Sequence, residues 1–173
     1  PREIVFARTG DGIENFCSAN GQRDTNDLDL PHQILALFSA DLAGLRQIAP
    51  LAERLISAHV PSNHGRWRTG MKADAGDPHA DFGIVEAKML REAAEQFGTL
   101  TNVEFVLPEP LMESLVVTTD TGLKLGMVHG HQAGKAEGID DRWTRPDHGR
   151  MPTWDADAPF AGHFHRYRAF ESG

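Results

Sequence analysis

The sequence has few of the features that mark secreted and membrane-spanning proteins. Cys17 is its only cysteine, so no disulfide can form within the chain, which is compatible with a reducing cytosol. No uninterrupted apolar run approaches the roughly 20 residues that a membrane helix needs. No signal-peptide pattern opens the chain. We therefore predict a cytoplasmic protein with no membrane partner.

Positive charge is also scarce, with 17 Lys and Arg against 25 Asp and Glu and a formal net charge of −8. This balance argues against a general nucleic-acid coat, because phosphate contacts need cations. Nine basic residues nevertheless lie in predicted loops close to the motifs described below. They are Arg66, Arg68, Lys72, Lys135, Arg142, Arg145, Arg150, Arg166 and Arg168. Acidic residues are mixed among them, which favours a solvated charged surface over a DNA-binding rim.

The length and composition are those of one globular domain. The chain has 173 residues, of which 40% are hydrophobic and 24% charged, enough for a buried core. No repeat, low-complexity tract or linker divides it, so we predict a single domain over residues 1–173. The chain starts at Pro1 just before a predicted strand and stops at Gly173 just after one. We expect it to be a fragment of a longer domain, trimmed at both ends.

Apolar runs and turn residues predict alternating strands and helices. Strands are expected at residues 3–7, 55–60, 103–107, 114–119 and 123–128. The last two should form a hairpin across Asp120-Thr121-Gly122. Helices are expected from Pro31 to Pro50 and over residues 82–97, where Asp81 is a candidate cap. This alternation predicts an α/β fold with a central mixed sheet and helices on its faces, and residues 66–80 as a loop.

Each predicted helix carries an apolar stripe at helical spacing, which we expect to face the core. The first stripe consists of Ile34, Leu35, Phe38, Leu42, Leu45 and Ile48. The second consists of Phe82, Val85, Met89, Ala93 and Phe97.

Polar residues follow four of the predicted strands, and the carboxyl ends of strands are where open α/β sheets bind ligands. These residues are Asp11, Asn63, His64, His129, His163 and His165. The last two lie two positions apart, and on a strand such positions point to one face. One carboxylate, one amide oxygen and several imidazoles suit Mn²⁺, Zn²⁺ or Fe²⁺. A carboxylate can also bridge two ions about 3.5–4 Å apart.

The order of these motifs resembles that of the calcineurin-like metallophosphoesterases. The family's motifs run Asp-x-His, Gly-Asp-x-x-Asp/Glu, Gly-Asn-His-Asp/Glu, a later His, and Gly-His-x-His. The matching segments are Gly10-Asp11-Gly12-Ile13-Glu14, Ser62-Asn63-His64-Gly65, His129 and Gly162-His163-Phe164-His165. The third motif here has Ser for its first Gly and Gly for its closing acid. Within the family, the spacing looks most like that of phage and prophage phosphoesterases of the DNA-exonuclease type.

The resemblance implies a role for each matching residue. Asp11 would bridge two divalent ions, for which Mn²⁺ is favoured over Zn²⁺, Fe²⁺ or Mg²⁺. Asn63, His129 and His163 would complete the shell of one ion, and His165 would bind the other. In the same comparison, His64 would act beside the scissile phosphate as an acid or a stabiliser. Arg66 and His131 are expected to contact the substrate, and Glu14 to order the loop around Asp11.

The implied activity is hydrolysis of a phosphodiester by a metal-bound hydroxide, in a two-sheet sandwich flanked by helices. Nucleic acid, nucleotides and phosphoproteins all remain candidate substrates. The family's Asp-x-His motif should precede residue 1, so one metal shell lacks ligands here. We therefore expect residues 1–173 to bind one ion well at most and to hydrolyse poorly. The open sheet edge that a missing strand would leave also predicts pairing with another chain, such as a homo-oligomer.

Two other interpretations remain open. The first is a catalytically weak or inactive protein of the same fold that serves as a binding or scaffolding module. The second is a mononuclear zinc hydrolase, although Asn63 would be an uncommon zinc ligand. The other histidines are interpreted as ordinary, and His59 in particular as a packed strand residue. They are His32, His59, His79 and His148.

Overall fold

A computed structural model describes residues 2–16, 24–70, 73–74, 76–135, 138–139, 153 and 155–165. Several residues named above lie outside these ranges. They are Cys17, Lys72, Arg142, Arg145, His148, Arg150, Arg166 and Arg168.

The described residues form eight strands and two α-helices. The strands are β1 (Glu3–Arg8), β2 (Arg54–His59), β3 (Arg68–Gly70), β4 (Ala73–Asp74), β5 (Val103–Val106), β6 (Ser114–Thr118), β7 (Lys124–Val128) and β8 (Ala158–Ala161). The helices are α1 (Leu30–Ile48) and α2 (Phe82–Phe97). Single 3₁₀ turns cover Ala49–Leu51, Pro78–Ala80 and His131–Ala133. The α/β class and the predicted strands and hairpin are therefore confirmed.

The strands form two main sheets. Two sheets are what the resemblance implied, whereas the central mixed sheet expected from the alternation of strands and helices is not found among the described residues. The first sheet is wholly parallel, in the order β1-β2-β5. The second has the order β6-β7-β8, with β6 and β7 antiparallel and β7 and β8 parallel. Arg8 is in register with His59, and Val128 with Ala161. The two strands of each parallel pair therefore end opposite each other, and the segments that follow them lie side by side.

Two apolar clusters hold these layers together. In the first, Ile56 and Ala58 of β2 pack with residues of β6 and β7, so the two sheets lie face to face. In the second, Leu55 of β2 packs with Leu45 of α1 and Leu90 of α2. Because successive residues of a strand point to opposite faces, β2 can serve both clusters. Both helices thus cover the outer face of the parallel sheet.

Helix α1 begins and ends where the sequence predicts. Asp29 caps it by accepting a hydrogen bond from the His32 backbone N–H at 3.0 Å, and Pro31 lies in its first turn. Its predicted apolar stripe is only partly buried. Leu35 is 58% exposed, whereas Leu37 and Asp41 are buried. The buried face is therefore rotated from the predicted one and includes a carboxylate.

By length and composition, Leu30–Leu51 is the one segment among the described residues that could cross a membrane. Core helices of soluble proteins pass the same test. Here α1 packs on α2 and contributes the fully buried Leu45 to the core. We therefore interpret it as a core helix, which is compatible with a soluble protein.

Helix α2 has the predicted cap, but its predicted core stripe is wrong. Val85, Met89 and Phe97 are exposed, the last by 71%. The buried residues are Ile84, Glu86, Ala87, Leu90 and Ala94. Both series recur at helical spacing, so periodicity alone does not show which one faces the sheet.

Two further segments differ from the predictions. Residues 66–80 contain the short hairpin of β3 and β4 rather than only a loop. Strand β8 ends at Ala161, before the paired histidines. His163 and His165 have positive φ angles of 69° and 48°, so they lie in a turn. The prediction that they share one face of a strand is therefore wrong.

An acidic side chain is buried between the helices and the end of β1. Glu86 is 1% exposed, and neither of its carboxyl oxygens has a hydrogen-bond partner among the described residues. Burial, and then the charge of Asp41, raise the pKa of Glu86 to about 8, against the opposing effect of Arg8. Glu86 and Gly12 also line a small, partly open cavity of about 20 Å³, which is room for one water.

Replacing Glu86 by Gln tests this description, because the amide keeps the shape and cannot ionise. The folded state favours the protonated acid, so its stabilising contribution is complete below the unfolded pKa of 4.5 and is lost as pH rises through about 8. As pH rises from 5 to 9, the unfolding free energy of the parent should fall relative to that of the variant, by on the order of a few kcal/mol. Urea denaturation at both pH values measures this.

The matched control is Glu92→Gln, because Glu92 is exposed on the same helix. Its free energy of unfolding should change between the two pH values as that of the parent does. Parallel pH profiles for the parent and Glu86→Gln would contradict a neutral buried acid.

Candidate metal centre

The chain turns sharply after β1, which places Asp11 at the carboxyl end of the parallel sheet. Gly10 has a φ of 100°, and a Cβ there would lie 2.6 Å from the Cβ of Ser62 and 2.7 Å from Nδ1 of His129. Only glycine fits this position without displacing its neighbours. The close approach brings the loops after β1, β2 and β7 to one point.

His129 is the centre of this cluster and is 1% exposed. Its Nδ1 lies 2.6 Å from the carbonyl oxygen of Thr9, which can only accept, so Nδ1 donates. In the neutral ring that would bind a metal, Nε2 then carries the lone pair, whereas without a metal Nε2–H donates to Asp11. That atom lies 2.8 Å from Oδ1 of Asn63 and 3.1 Å from Oδ2 of Asp11. Three electron-pair donors therefore converge, which is the donor set of a cation site.

His163 adds a second imidazole from the turn after β8. Candidate ligand atoms of Asp11, His129 and His163 all lie within 4.8 Å of one another. The rings of His129 and His163 have centroids 5.0 Å apart. A Cβ on Gly162 would lie 2.8 Å from Oγ1 of Thr9, so glycine lets this turn pack on the end of β1. These three side chains form a candidate metal-binding cluster.

Asp11 is held as a carboxylate. Burial would raise its pKa, but hydrogen bonding and charge from His129, together with His64, outweigh burial and lower the pKa to about 2. Its Oδ1 accepts the backbone N–H of His64 at 3.3 Å, while Oδ2 faces His129. The loop after β2 thus orients the carboxylate toward the cluster.

His64 lies beside the cluster and not in it. Its Nδ1 is 3.3 Å from Oε2 of Glu14, and its side chain is 24% exposed. Nδ1 of His64 is buried and near Glu14 but makes no hydrogen bond within the described residues, so the exposed part of the ring lies away from Nδ1.

Two of the proposed site residues lie at the margin. The His131 ring centroid is 5.5 Å from that of His129. Burial, and then the charges of Arg66 and the neighbouring imidazoles, lower the pKa of His131 to about 4, so it is neutral near pH 7. Arg66 forms an ion pair with Glu113, which also accepts a hydrogen bond from Gln132. The guanidinium is thus tied to the protein beside the cluster.

His165 is exposed and does not belong to the metal-binding group found among the described residues. The structure therefore brings Asp11, Asn63, His129 and His163 together and leaves His165 apart. His59 is buried and bonds to Ser57 Oγ at 2.8 Å, as the packed-histidine interpretation predicted. Burial, aided by the charge of Arg8, lowers the pKa of His59 to about 3.

Sequence reasoning missed two residues that hold the ligand loops. Asp81 was predicted as a helix cap, and it does accept the N–H groups of Gly83 and Ile84. The same buried carboxylate also accepts the N–H of Ser62 at 2.9 Å and the Ser62 hydroxyl at 3.3 Å. A Cβ on Gly65 would strike this carboxylate. Helix α2 thus fixes the loop that carries Asn63 and His64.

Asn15 is the second missed residue, and it fixes the other loop. It is 3% exposed, and its amide donates to the carbonyl oxygens of His64 at 2.9 Å and Arg66 at 3.1 Å. Its φ of 63° is one that asparagine tolerates better than most residues. An Asn after the Gly10-Asp11 turn was the available signal for this role.

No known protein family, no curated protein and no solved structure matches this chain.

A titration with Mn²⁺ tests the cluster. We expect about one ion per chain, and a loss of affinity of at least roughly 100-fold in His163→Ala, since removing even an outer-shell partner costs roughly 10–100-fold. Titration calorimetry measures both values. The control is His32→Ala, because His32 is exposed and pairs with Asp29. Equal Mn²⁺ affinity in His163→Ala and His32→Ala would contradict the assignment of His163 as a metal ligand.

Replacing Asp81 by Ala tests whether this carboxylate holds the loop that carries Asn63 and His64. The change removes a helix cap and leaves the buried Ser62 N–H unpaired, so we expect a loss of about 2–4 kcal/mol in unfolding free energy. Urea denaturation measures the loss. Asp77→Ala is the matched control, because Asp77 caps only the 3₁₀ turn by accepting from His79, and it should cost under about 1 kcal/mol. Equal losses in the two variants would contradict a special role for Asp81.

Proposed function

We propose that this chain is a metal-dependent phosphoesterase that hydrolyses a phosphodiester. The observation that carries the proposal is the convergence of Asp11, His129 and His163, with the oxygen of Asn63 facing the same imidazole nitrogen. The order of the motifs along the chain, which resembles that of the calcineurin-like metallophosphoesterases, supports the same reaction class.

The donor set fits a divalent ion. Oδ2 of Asp11, Oδ1 of Asn63, Nε2 of His129 and a ring nitrogen of His163 would hold it, and this mixture of oxygen and nitrogen suits Mn²⁺. When bound, such an ion acts as a Lewis acid and lowers the pKa of water. The Thr9 carbonyl fixes the His129 ring, as outer-shell partners of metal ligands commonly do. A second ion, which the resemblance implies between Asp11 and His165, stays a prediction.

His64 is the proposed acid to the leaving group. Its Nδ1 faces Glu14, so the proton to be transferred would be held at Nε2 on the accessible side of the ring. His131 and Arg66 border the cluster on another side, where they would contact the substrate. The charge of Arg66 is partly compensated by Glu113, so it would act by orienting the substrate more than by net attraction.

The alternative function is a metal-binding module with little or no catalysis. It is favoured by one observation: the described residues contain a single metal-binding group, and His165 is not part of it. A protein with one ion and a rigid loop set can bind a phosphate ester without turning it over.

Hydrolysis of bis(p-nitrophenyl) phosphate in the presence of Mn²⁺ separates these functions. We expect a measurable turnover well below roughly 1 s⁻¹, since the described residues contain a single metal-binding group. His64→Gln should lower kcat by roughly 10²–10⁴-fold without changing Mn²⁺ affinity, because it removes only a proton donor. Asp11→Asn should lose both ion binding and turnover.

The control for that experiment is His32→Ala, which should keep the parent turnover. Tight Mn²⁺ binding with no turnover would favour the binding module, and unchanged turnover in Asp11→Asn would refute the proposed site.

A further inference from the structure

A groove of about 610 Å³ opens directly beside Asp11. The loop 11–14 and residues 26–28 form two of its sides, and the first half of α1 forms its floor. Small-molecule sites fall in the range of about 300–1,000 Å³. The groove therefore has the size of a ligand site and adjoins the candidate metal centre.

The charges along the groove are unevenly distributed. At its inner end, beside Asp11, Nη2 of Arg8 lies 3.1 Å from Oδ2 of the buried Asp41. Glu14 and Asp27 are exposed acids at its margin. Among the described lining residues, Arg8 is the single cation against four carboxylates. One anionic group next to a bound divalent ion would be compensated, since Arg8 already pairs with Asp41, whereas a second one toward the margin would face carboxylates.

The remaining surface of the groove is largely apolar. The residues that provide it are Ile13, Leu28, Ala36, Leu37 and Ala40. Removing apolar area from water is favourable and needs no specific partner. This wall therefore suits an apolar organic group that extends away from the phosphate.

We propose that the groove binds the organic substituent of the substrate, and that the substrate is a small monoanionic phosphodiester with an apolar group. This inference rests on the proposed function and specifies its substrate class. Nucleic acid fits the groove poorly, because successive phosphates would pass Glu14 and Asp27, and nucleic-acid affinity depends on cations at the phosphates. A ligand with one phosphate beside Asp11 and an apolar group along α1 matches both the charge distribution and the apolar wall of the groove.

Binding of diphenyl phosphate to the Mn²⁺-loaded protein tests this inference independently of turnover. Ala40→Trp places a large side chain in the groove from an exposed helix position. We expect it to weaken diphenyl phosphate binding at least tenfold in titration calorimetry while Mn²⁺ affinity stays unchanged. Ala43→Trp is the matched control, because Ala43 is exposed on the same helix and does not line the groove. It should bind as the parent does.

The oligonucleotide (dT)₈ is the competing probe. We expect it not to displace diphenyl phosphate from the parent, and to gain affinity in Asp27→Lys, which replaces a marginal carboxylate by a cation. Displacement by (dT)₈ from the parent with a steep salt dependence would overturn the inference in favour of nucleic acid. Absence of diphenyl phosphate binding, or binding that Ala40→Trp leaves unchanged, would also overturn it.

The failure of the proposed function has a different signature. If diphenyl phosphate binds and Ala40→Trp blocks it, but no diester is hydrolysed, the groove is a ligand site of the stated chemistry in a protein that is not a phosphoesterase.

Discussion

The hydrogen bond from Nδ1 of His129 to the carbonyl oxygen of Thr9 is the contact on which the candidate site depends. Thr9 follows the parallel sheet and His129 follows the second sheet, so this bond joins the two sheets at the edge where the polar loops meet. It also directs Nε2 of His129 toward Asp11 and Asn63. The approach is close enough that Gly10 has no room for a side chain. One buried bond therefore couples the packing of the sheets to the geometry of the ligands.

Two buried side chains, Asp81 and Asn15, hold the loops around this bond by hydrogen bonds. Asp81 accepts four hydrogen bonds, two from Ser62 and two from the first turn of α2. Asn15 binds the backbone of the same loop from the opposite side. Glu86 is the contrast, since its oxygens have no hydrogen-bond partner among the described residues and it must stay neutral to be tolerated. Asp81 and Asn15 thus hold the ligand loops through satisfied hydrogen bonds. Nδ1 of His64 and Nδ1 of His131, which lie beside the ligands, make no hydrogen bond within the part of the chain that the structure describes.

In the proposed groove, the charges would bind the anionic group of a ligand and the apolar wall would bind its organic group. Asp11, one of the converging donors, lines the groove together with Arg8, and Glu14 and Asp27 lie at its margin. A ligand with one negative charge and an apolar extension matches this arrangement better than a polyanion does. The overall charge of −8 agrees with the local pattern.

The sequence by itself determined five of the strands, the Asp81 cap of α2 and the order in which Asp11, Asn63, His129 and His163 follow strand ends. Local physics suffices for these features, because turn residues, caps and apolar runs act over a few positions. Only the tertiary structure decided that Phe97 faces solvent while Glu86 is buried, since both faces of α2 carry apolar residues. It also decided that His165 lies outside the metal-binding group that contains His163, because a turn with positive φ follows the strand. Which ligand atoms lie close together depends on the packing of one sheet against the other, and local sequence patterns do not predict that packing.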